Sequence, residues 1–302
     1  MVGVSMRSQP TFAIHVDCDN LWIYEAEYGR PTSDDQDLIY TQALPSLMEV
    51  FARWNIRATF FVIGRELDRR SCADFCRSAL AAGHRIANHS FSHRPDFSKL
   101  TSAEKREDIV AADAAITKAT GRKPIGFRSP GYHVDPDLVT ILQTAGYAYD
   151  SSILPGPAGL LMKTYMTLLG RGGNNKSFGP LTSIFSRRQP HAIGDGTGNP
   201  LWEFPIATFP FLRLPIHSTF VYKFGESYLG SALRLLKQMS GHHIYLLHAI
   251  DGLDDPRPER FKGQVIPLSL PFARRRDFLN SLGAQLQDRV VLTEDLVAGL
   301  NA

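Results

Sequence analysis

Short apolar runs alternate with helix-length amphipathic segments along most of this chain. The run TFAIHVD at 11–17 begins the pattern, and similar strand-like runs recur at 58–64, 84–89, 124–129, 147–152, 201–206, 243–250 and 289–293. Between them, periodicity typical of helices covers about 38–54, 66–82, 102–120, 135–145, 227–239 and 272–287. Alternation of this kind favours a parallel sheet, either open or closed into a barrel. We therefore predict an α/β fold.

Length and composition exclude several classes of protein. A chain of 302 residues suffices for one large α/β domain, and its net charge of +3 is too small to indicate a nucleic-acid partner. No apolar stretch approaches the roughly 20 residues that cross a bilayer, and no run of signal-peptide length precedes residue 11. The three cysteines do not suggest a disulfide framework. We expect a cytoplasmic protein, although an export route that leaves no trace in the sequence stays open.

One segment breaks the alternation. Residues 153–200 are rich in Gly, Pro and apolar side chains, and they show neither clear helical nor clear strand periodicity. Long irregular segments within compact domains commonly serve as binding loops. We interpret 153–200 as an insertion over the ligand side of a single domain that spans 1–302, rather than as a second domain.

Polar side chains follow five of the predicted strands. Asp17 and Asp19 end the first, His89 and His93 the third, the motifs FRSPGY and YDSS the fourth and fifth, and His248 a later one. The carboxyl ends of parallel strands meet at one edge, where α/β folds place their sites. Two histidines four residues apart, on one face of a helical turn, suit a shared metal ion. These strand ends therefore predict a functional site.

This set of motifs, in this order, resembles the polysaccharide deacetylase family, also called the NodB-homology or carbohydrate esterase family 4 domain. The family's motifs are matched by His89–His93 in HSFSH, by Arg128-Ser129-Pro130, by Asp150 in YDSS and by Leu246-Leu247-His248. The resemblance covers about 10–155 and 200–295. It implies a distorted (β/α) barrel of about seven parallel strands.

The first motif departs from the family pattern. Most members have two adjacent acids, whereas this chain has VDCDN, with Asp17 and Asp19 separated by a cysteine. That arrangement is similar to the branch that deformylates a lipid-linked aminoarabinose, and to other outlying branches. By analogy Asp17 is the general base and Asp19 a metal ligand, but the reverse assignment stays open.

The resemblance implies a metal site and a catalytic pair. We expect one divalent ion, zinc, bound by Asp19, His89 and His93, because three protein ligands leave open positions for water and substrate. Amide hydrolysis also needs a base, Asp17, and an acid that protonates the leaving amine, His248.

Other residues would support these groups. Arg128 would keep Asp17 ionised, and Asp150 would orient His248. Gly131 would offer its backbone N–H to the oxyanion, and Tyr132 and Leu246 would contact the substrate. Two alternatives stay open: Arg128 and Asp150 could form a buried structural ion pair, and His248 could be a hydrogen-bonded core histidine.

The expected function is metal-dependent removal of an acetyl or formyl group from an amino sugar, in a cytoplasmic glycoconjugate or a lipid-linked glycan. Alternatives are hydrolysis of a non-sugar C–N bond of the cyclic ureide type by the same fold, and non-catalytic carbohydrate binding. The segments 158–170 and 209–216 combine apolar and basic residues, a pattern that favours peripheral contact with the inner face of a membrane. Burial of these segments over the barrel mouth is the competing interpretation.

Overall fold

The computed structural model describes residues 9–157, 181–194, 196, 200–254, 261 and 265–300. Their strands form one sheet in the order β6-β7-β5-β4-β3-β2-β1-β8. All neighbours are parallel except β6 and β7, which are antiparallel. The strands are β1 (Thr11–Asp17), β2 (Ala58–Val62), β3 (Arg85–Asn88), β4 (Gly126–Phe127), β5 (Tyr149–Asp150), β6 (His191–Ile193), β7 (Leu201–Glu203) and β8 (His242–His248).

Helices connect most of these strands. In the described ranges they are α1 (Leu21–Glu27), α2 (Leu44–Arg53), α3 (Arg70–Ala81), α4 (Ser102–Thr120), α5 (Pro136–Thr144), α6 (Ser218–Phe224), α7 (Glu226–Leu236), α8 (Phe272–Leu286) and α9 (Thr293–Leu300). Helix α4 shows how local sequence sets the boundaries: Thr101 and Glu104 form a capping box at its start, and Gly121 ends it in the left-handed conformation.

The sheet curls until its two flanks meet. On one flank β1 and β8 are paired along their whole length, from Thr11 opposite His242 to Asp17 opposite His248. On the other, the chain beyond β7 reaches β8 through a bridge between Ile206 and Ile244. We call this second junction the seam. The predicted distorted barrel of about seven parallel strands is confirmed, with β6 added as an antiparallel edge.

Alternation along β1 separates the core from the site. Phe12, Ile14 and Val16 pack among the helices in the largest apolar cluster, whereas Ala13 joins a smaller cluster inside the barrel. Side chains two residues apart on a strand share a face, so His15 and Asp17 also point into the barrel. The barrel interior is thus apolar at the start of β1 and polar at its end.

The sequence predictions match most elements and miss others. The strand predicted at 289–293 is wrong, because Val290 forms only one bridge, to Phe12, and α9 begins at Thr293. The short elements α1, α6, α9 and β6 were not predicted. Cys18, Cys72 and Cys76 are free and buried.

Part of the predicted insertion can be located. Of 153–200, the structure describes 153–157, 181–194, 196 and 200, including β6. The apolar stretch 158–170 lies outside the described residues, and the insertion stays a prediction there. Within the described ranges, every helix is too short or too polar to serve as a membrane span.

Candidate active site

Three side chains converge at the carboxyl ends of β1 and β3. Asp19 Oδ1 lies 3.5 Å from His89 Nε2 and 3.3 Å from His93 Nε2. One ligand atom from each residue falls within 4.8 Å of the others. Two imidazole nitrogens and one carboxylate oxygen at this spacing are a donor set typical of a divalent transition metal. The predicted ligands are therefore together.

The two histidines do not lie on a helical turn, so that part of the prediction is wrong. They belong to a loop after β3 in which Ser90 and His93 have positive φ angles of 65° and 47°. Asp108 on α4 accepts the two backbone N–H groups between Ser90 and His93, at 2.8 and 3.1 Å. Hydrogen bonds to this carboxylate, rather than the hydrogen bonds of a helix, stabilise the tight loop. The centroids of the two imidazole rings are nevertheless only 4.9 Å apart.

The hydrogen bonding of His89 leaves one nitrogen for a metal. Its Nδ1 lies 2.7 Å from the backbone carbonyl oxygen of Arg128, to which it donates. The proton is therefore on Nδ1, and the lone pair of Nε2 faces Asp19 and His93. A metal-binding histidine is commonly fixed in this way by a backbone carbonyl.

The protonation states also suit a metal. Burial alone would raise the pKa of Asp19, but His93 and His89 outweigh that effect and hold it well below its usual range. Burial, reinforced by His89, lowers the pKa of His93 to about 4. Near neutral pH the carboxylate is charged and His93 is neutral, as metal coordination requires. Asp17 and Asp19 outweigh burial and raise the pKa of His89, so metal binding at its Nε2 would displace a proton. The residues present fit a divalent ion.

Glu66 holds the loop that carries Asp19. This buried carboxylate accepts hydrogen bonds from Asn20 Nδ2 at 2.5 Å and from Trp22 Nε1 at 2.7 Å. The Trp22 ring stands edge-on to His93, with centroids 6.4 Å apart. Sequence reasoning missed both Glu66 and Trp22, because Glu66 lies outside the strand-end motifs.

Asp17 is bound by the guanidinium of Arg128, as predicted. Arg128 Nη1 donates to Asp17 Oδ1 at 2.7 Å, and both side chains are buried. The guanidinium also donates to the carbonyl and hydroxyl oxygens of Ser151, each at 2.7 Å, and lies 4.3 Å from the ring centre of Phe61. A buried Arg stabilises the charged form of the carboxylate it binds. Arg128 forms its ion pair with Asp17 rather than with Asp150.

His248 lies beside Asp17 at the end of the neighbouring strand. The strand register pairs the two residues directly. The ring of His217 stands 6.2 Å from that of His248 at an angle of 69°, and Asp251 Oδ2 accepts the backbone N–H of His248 at 3.0 Å. Among the described residues, Nδ1 of His248 has no hydrogen-bond partner.

Sequence reasoning identified neither His217 nor Asp251 as part of the site. Burial, together with the nearby His248 and Arg128, lowers the pKa of His217 to about 3, so its ring is neutral near neutral pH. Asp251 could have been found as the acid three residues after His248.

Asp150 faces another carboxyl group. It is opposite Glu203 in the register of β5 and β7, and its Oδ1 accepts a hydrogen bond from Ser152 at 2.5 Å. Burial raises the pKa of Asp150 to about 6; burial and Asp150 raise that of Glu203 well above its usual range. Among the described residues, Oδ2 of Asp150 and Oε2 of Glu203 have no donor, and the raised pKa values of both acids favour a proton between them. The predicted action of Asp150 on His248 stays a prediction.

The predicted substrate-contacting residues lie near one another. Gly131 and Tyr132 both have positive φ, at 67° and 60°. Tyr132 packs against a buried apolar cluster formed by Leu154, Ile206 and Leu246. This places the Gly131 loop beside Leu246, at the end of the barrel where the carboxylates and imidazoles converge.

Comparison with known proteins agrees with this geometry. Residues 32–149 match the family profile described as polysaccharide deacetylase. A chitooligosaccharide deacetylase of Bradyrhizobium sp. (strain ANU 289) is 31% identical over 105 residues, which are 34% of this chain and 47% of that protein. A peptidoglycan-N-acetylglucosamine deacetylase of Bacillus cereus is 27% identical over 114 residues, 38% of this chain and 50% of that protein. The matches thus span about half of these relatives.

Solved structures show the same fold. A protein described as a polysaccharide deacetylase of Mycobacterium smegmatis superposes with a TM-score of 0.65 at 16% identity, covering 99% of this chain and 93% of its own. Puue allantoinase superposes with a TM-score of 0.62 at 14% identity, covering 97% and 91%. Residues 32–149 therefore carry the sequence match to the polysaccharide deacetylase family, and the fold of the chain is similar to that of these solved structures.

Proposed function

We propose that the protein is a metal-dependent hydrolase that removes an acetyl or formyl group from the nitrogen of an amino sugar. The observation that carries this proposal is the pairing of Asp17 with His248 across β1 and β8, next to the cluster of Asp19, His89 and His93. A base and an acid beside three convergent metal ligands are what amide hydrolysis needs. The names of the relatives support an N-acylated sugar as the substrate.

We assign metal binding and proton transfer to different residues. Asp19 and the Nε2 atoms of His89 and His93 would hold the ion, for which we propose zinc. Such an ion, when bound, supplies polarisation of the amide carbonyl and acidification of water. Asp17, whose Oδ1 accepts a hydrogen bond from Arg128, accepts the proton of the attacking water.

His248 completes the hydrolysis. It donates a proton to the amine as the C–N bond breaks, because an amide anion is a poor leaving group. Water supplies the oxygen of the new C–O bond, and the products are the amine and a carboxylic acid. The backbone N–H of Gly131 is the proposed second donor to the oxyanion.

A substrate screen tests this function. Purified protein is incubated with N-acetylated and N-formylated amino sugars, and with cyclic ureides, while acetate, formate and ring opening are measured. We expect acyl release that a chelator abolishes and zinc restores. Ring opening of a ureide without acyl release from any sugar would overturn the proposal in favour of the alternative amidohydrolase.

Metal analysis tests the ligand assignment. We expect one divalent ion per chain in the wild type and most of that metal lost in the His89→Ala, His93→Ala double variant, because two of three ligands are gone. The matched control is His191→Ala on the edge strand β6, which should keep the ion. Stoichiometric metal in the double variant would contradict the site.

We further propose that the amino sugar is lipid-linked and that the enzyme works at the inner face of the cytoplasmic membrane. Support comes from the predicted segment 209–216. Phe211 and Leu212 are 93% and 72% exposed, and Phe185 on a neighbouring loop is 86% exposed. Arg213 joins the two loops by donating to the carbonyl oxygen of Ser186 at 2.8 Å. We call Phe185, Phe211 and Leu212, with the adjacent Arg187, the apolar–basic surface.

Charge favours an anionic membrane as the partner of this surface. Residues 181–194 and 204–225 contain four Arg or Lys residues and no Asp or Glu. In the ranges that the structure describes, these cations form no ion pair with a carboxylate. Exposed aromatic and aliphatic side chains interleaved with cations are typical of interfacial binding.

Vesicle sedimentation tests the membrane contact. We expect the wild type to sediment with vesicles containing phosphatidylglycerol but not with neutral ones, and Phe211→Glu, Leu212→Glu to abolish binding. The matched control is Val110→Glu, since Val110 is 51% exposed on α4. Turnover of a water-soluble substrate should survive in both variants. Equal sedimentation of the variant and the control would contradict the contact.

A further inference from the structure

His15 lies in the middle of the buried polar groups behind Asp17. It is fully buried on β1, on the same face as Asp17, and its ring packs against Phe61 with centroids 4.9 Å apart. Its Nδ1 is 2.8 Å from Nη2 of Arg128, and its Nε2 is 2.7 Å from the hydroxyl of Thr293. Both ring nitrogens therefore have a partner inside the barrel.

These partners determine the tautomer. A guanidinium can only donate, so Nδ1 of His15 accepts from Arg128 and carries no proton. The ring proton is then on Nε2, which donates to the Thr293 hydroxyl. Burial, with the nearby Arg128 charge, lowers the pKa of His15 well below its usual value, so the ring stays neutral. A protonated ring would place an N–H against the N–H of Arg128.

We infer that His15 is a positioning residue for the base Asp17 and that it acts through Arg128. The inference rests on the proposed function, in which Asp17 accepts the proton of water. A series of hydrogen bonds runs from Thr293 through His15 and Arg128 to Asp17. Because Thr293 is the first residue of α9, the last helix of the described chain fixes the orientation of the catalytic base.

The guanidinium needs this support to hold its orientation. Its Nε and Nη1 each donate to one acceptor, on Ser151 and Asp17, and its Nη2 donates to the Ser151 hydroxyl and to His15. Without His15, a buried N–H of Nη2 loses its acceptor. A buried N–H without an acceptor is unfavourable. The guanidinium would therefore rotate until Nη2 finds another acceptor, and this rotation would move Nη1 away from Asp17.

The first test compares His15→Leu, which removes both hydrogen bonds, with His15→Gln, whose amide can accept from Arg128 and donate to Thr293. We expect His15→Leu to lower kcat about 10- to 100-fold, the range for loss of a supporting hydrogen bond around a site, with KM and metal content unchanged. His15→Gln should restore most of the rate. Full kcat in His15→Leu, or equal loss in both variants, would overturn the inference.

The second test asks whether His15 acts through Asp17. In an Asp17→Asn background, His15→Leu should cost no further activity, because residues that act as a unit have non-additive effects. A purely structural role predicts that the two losses multiply, and that result would overturn the inference. Thr293→Val, which keeps the shape of the side chain, serves if His15→Leu does not fold; it should lower kcat several-fold with the same non-additivity.

A readout without substrate separates this inference from the proposed function. Nitrogen-15 NMR of the imidazoles reports the tautomer of each histidine. We expect the neutral Nε2–H form of His15 from pH 8 to pH 5, and loss of that fixed tautomer in Thr293→Val. A protonated or Nδ1–H ring in the wild type would overturn the hydrogen-bond series. Failure of every N-acyl sugar as a substrate would overturn the proposed function alone.

Discussion

The two sides of the candidate active site are built differently. On the base side, Asp17, Arg128 and His15 are joined by hydrogen bonds of 2.7 and 2.8 Å inside the barrel. On the acid side, His248 and His217 meet through a ring contact of 6.2 Å, and the Nδ1 atom of each lacks a hydrogen-bond partner in the described part of the chain. Side-chain hydrogen bonds join the groups of the base side, whereas the two imidazole rings of the acid side meet by packing.

The difference follows from the elements that carry the residues. Base-side groups lie on or directly after strands whose register is set along the sheet. On the acid side, His217 comes from an irregular segment joined to β8 by a single bridge, opposite Leu246. We expect changes on the base side to have larger effects than changes on the acid side, since packing contacts tolerate conservative replacement better than a buried hydrogen-bond network does.

The largest effect is expected for Asp17→Asn. The amide keeps the shape of the carboxylate but cannot accept the proton of water, so turnover should fall on the order of 100-fold or more. Metal content, measured by atomic absorption, should not change. If Asp17→Asn loses the metal while Asp19→Asn keeps it, the roles of the two acids are reversed.

A smaller loss is expected for Asp251→Ala on the acid side. Asp251 accepts the backbone N–H of His248, and its removal should lower kcat about tenfold by loosening the imidazole. The comparison is Asp150→Ala, the acid that the sequence places behind His248. A larger loss in Asp150→Ala, confined to substrates with poor leaving groups, would assign the support of His248 to Asp150.

A still smaller, selective loss is expected for His217→Gln. Removing the ring beside His248 should slow hydrolysis of an N-acetyl sugar a few-fold, because protonation of the amine depends on His248. An activated aryl ester, whose leaving group needs no proton, should be hydrolysed at the wild-type rate. Equal losses with both substrates would mean that His217 has a general structural role.

The smallest effect concerns stability rather than rate. Burial raises the pKa of Asp150 to about 6 and that of Glu203 above its usual range. The folded pair binds more protons than the unfolded chain, so its contribution is present at low pH and is lost as pH rises through about 6.

Glu203→Gln supplies an amide N–H in place of the shared proton. The Tm of the variant minus the Tm of the wild type should therefore increase by a few °C from pH 5 to pH 8. Thermal melts at the two pH values measure this gain, and Glu226→Gln on the exposed start of α7 is the control. A difference that does not depend on pH would mean that the two acids share no proton.

The same contrast explains what the sequence could predict. The alternation of short apolar runs with helical segments located seven of the eight strands, because a short buried run such as ATFFVIG is typical of a strand in a parallel sheet. Residues at strand ends, Asp17, Asp19, His89 and Arg128, are brought together by register alone, so their positions in the sequence indicate the site.

The missed residues depend on tertiary packing. His217 and Glu66 reach the site from segments without strand periodicity, and their role depends on how those segments fold back. His15 was visible on β1, but its importance appears only once Thr293 and Arg128 lie on either side of it.

The seam has a consequence for motion. Along β1 and β8 seven residue pairs are in register, whereas the chain beyond β7 reaches β8 through two isolated bridges. One is at the seam, where the Ala207 N–H donates to the Ile244 carbonyl at 2.9 Å, and the other joins His217 to Leu246. Few hydrogen bonds mean a low free energy of local opening, so amide hydrogen exchange at Ala207 should be faster than at the β1 amides that pair with β8. We therefore expect the barrel to open transiently at the seam, beside Leu246 and His248. A bulky product could leave through this opening while Asp17 and Arg128 stay in place.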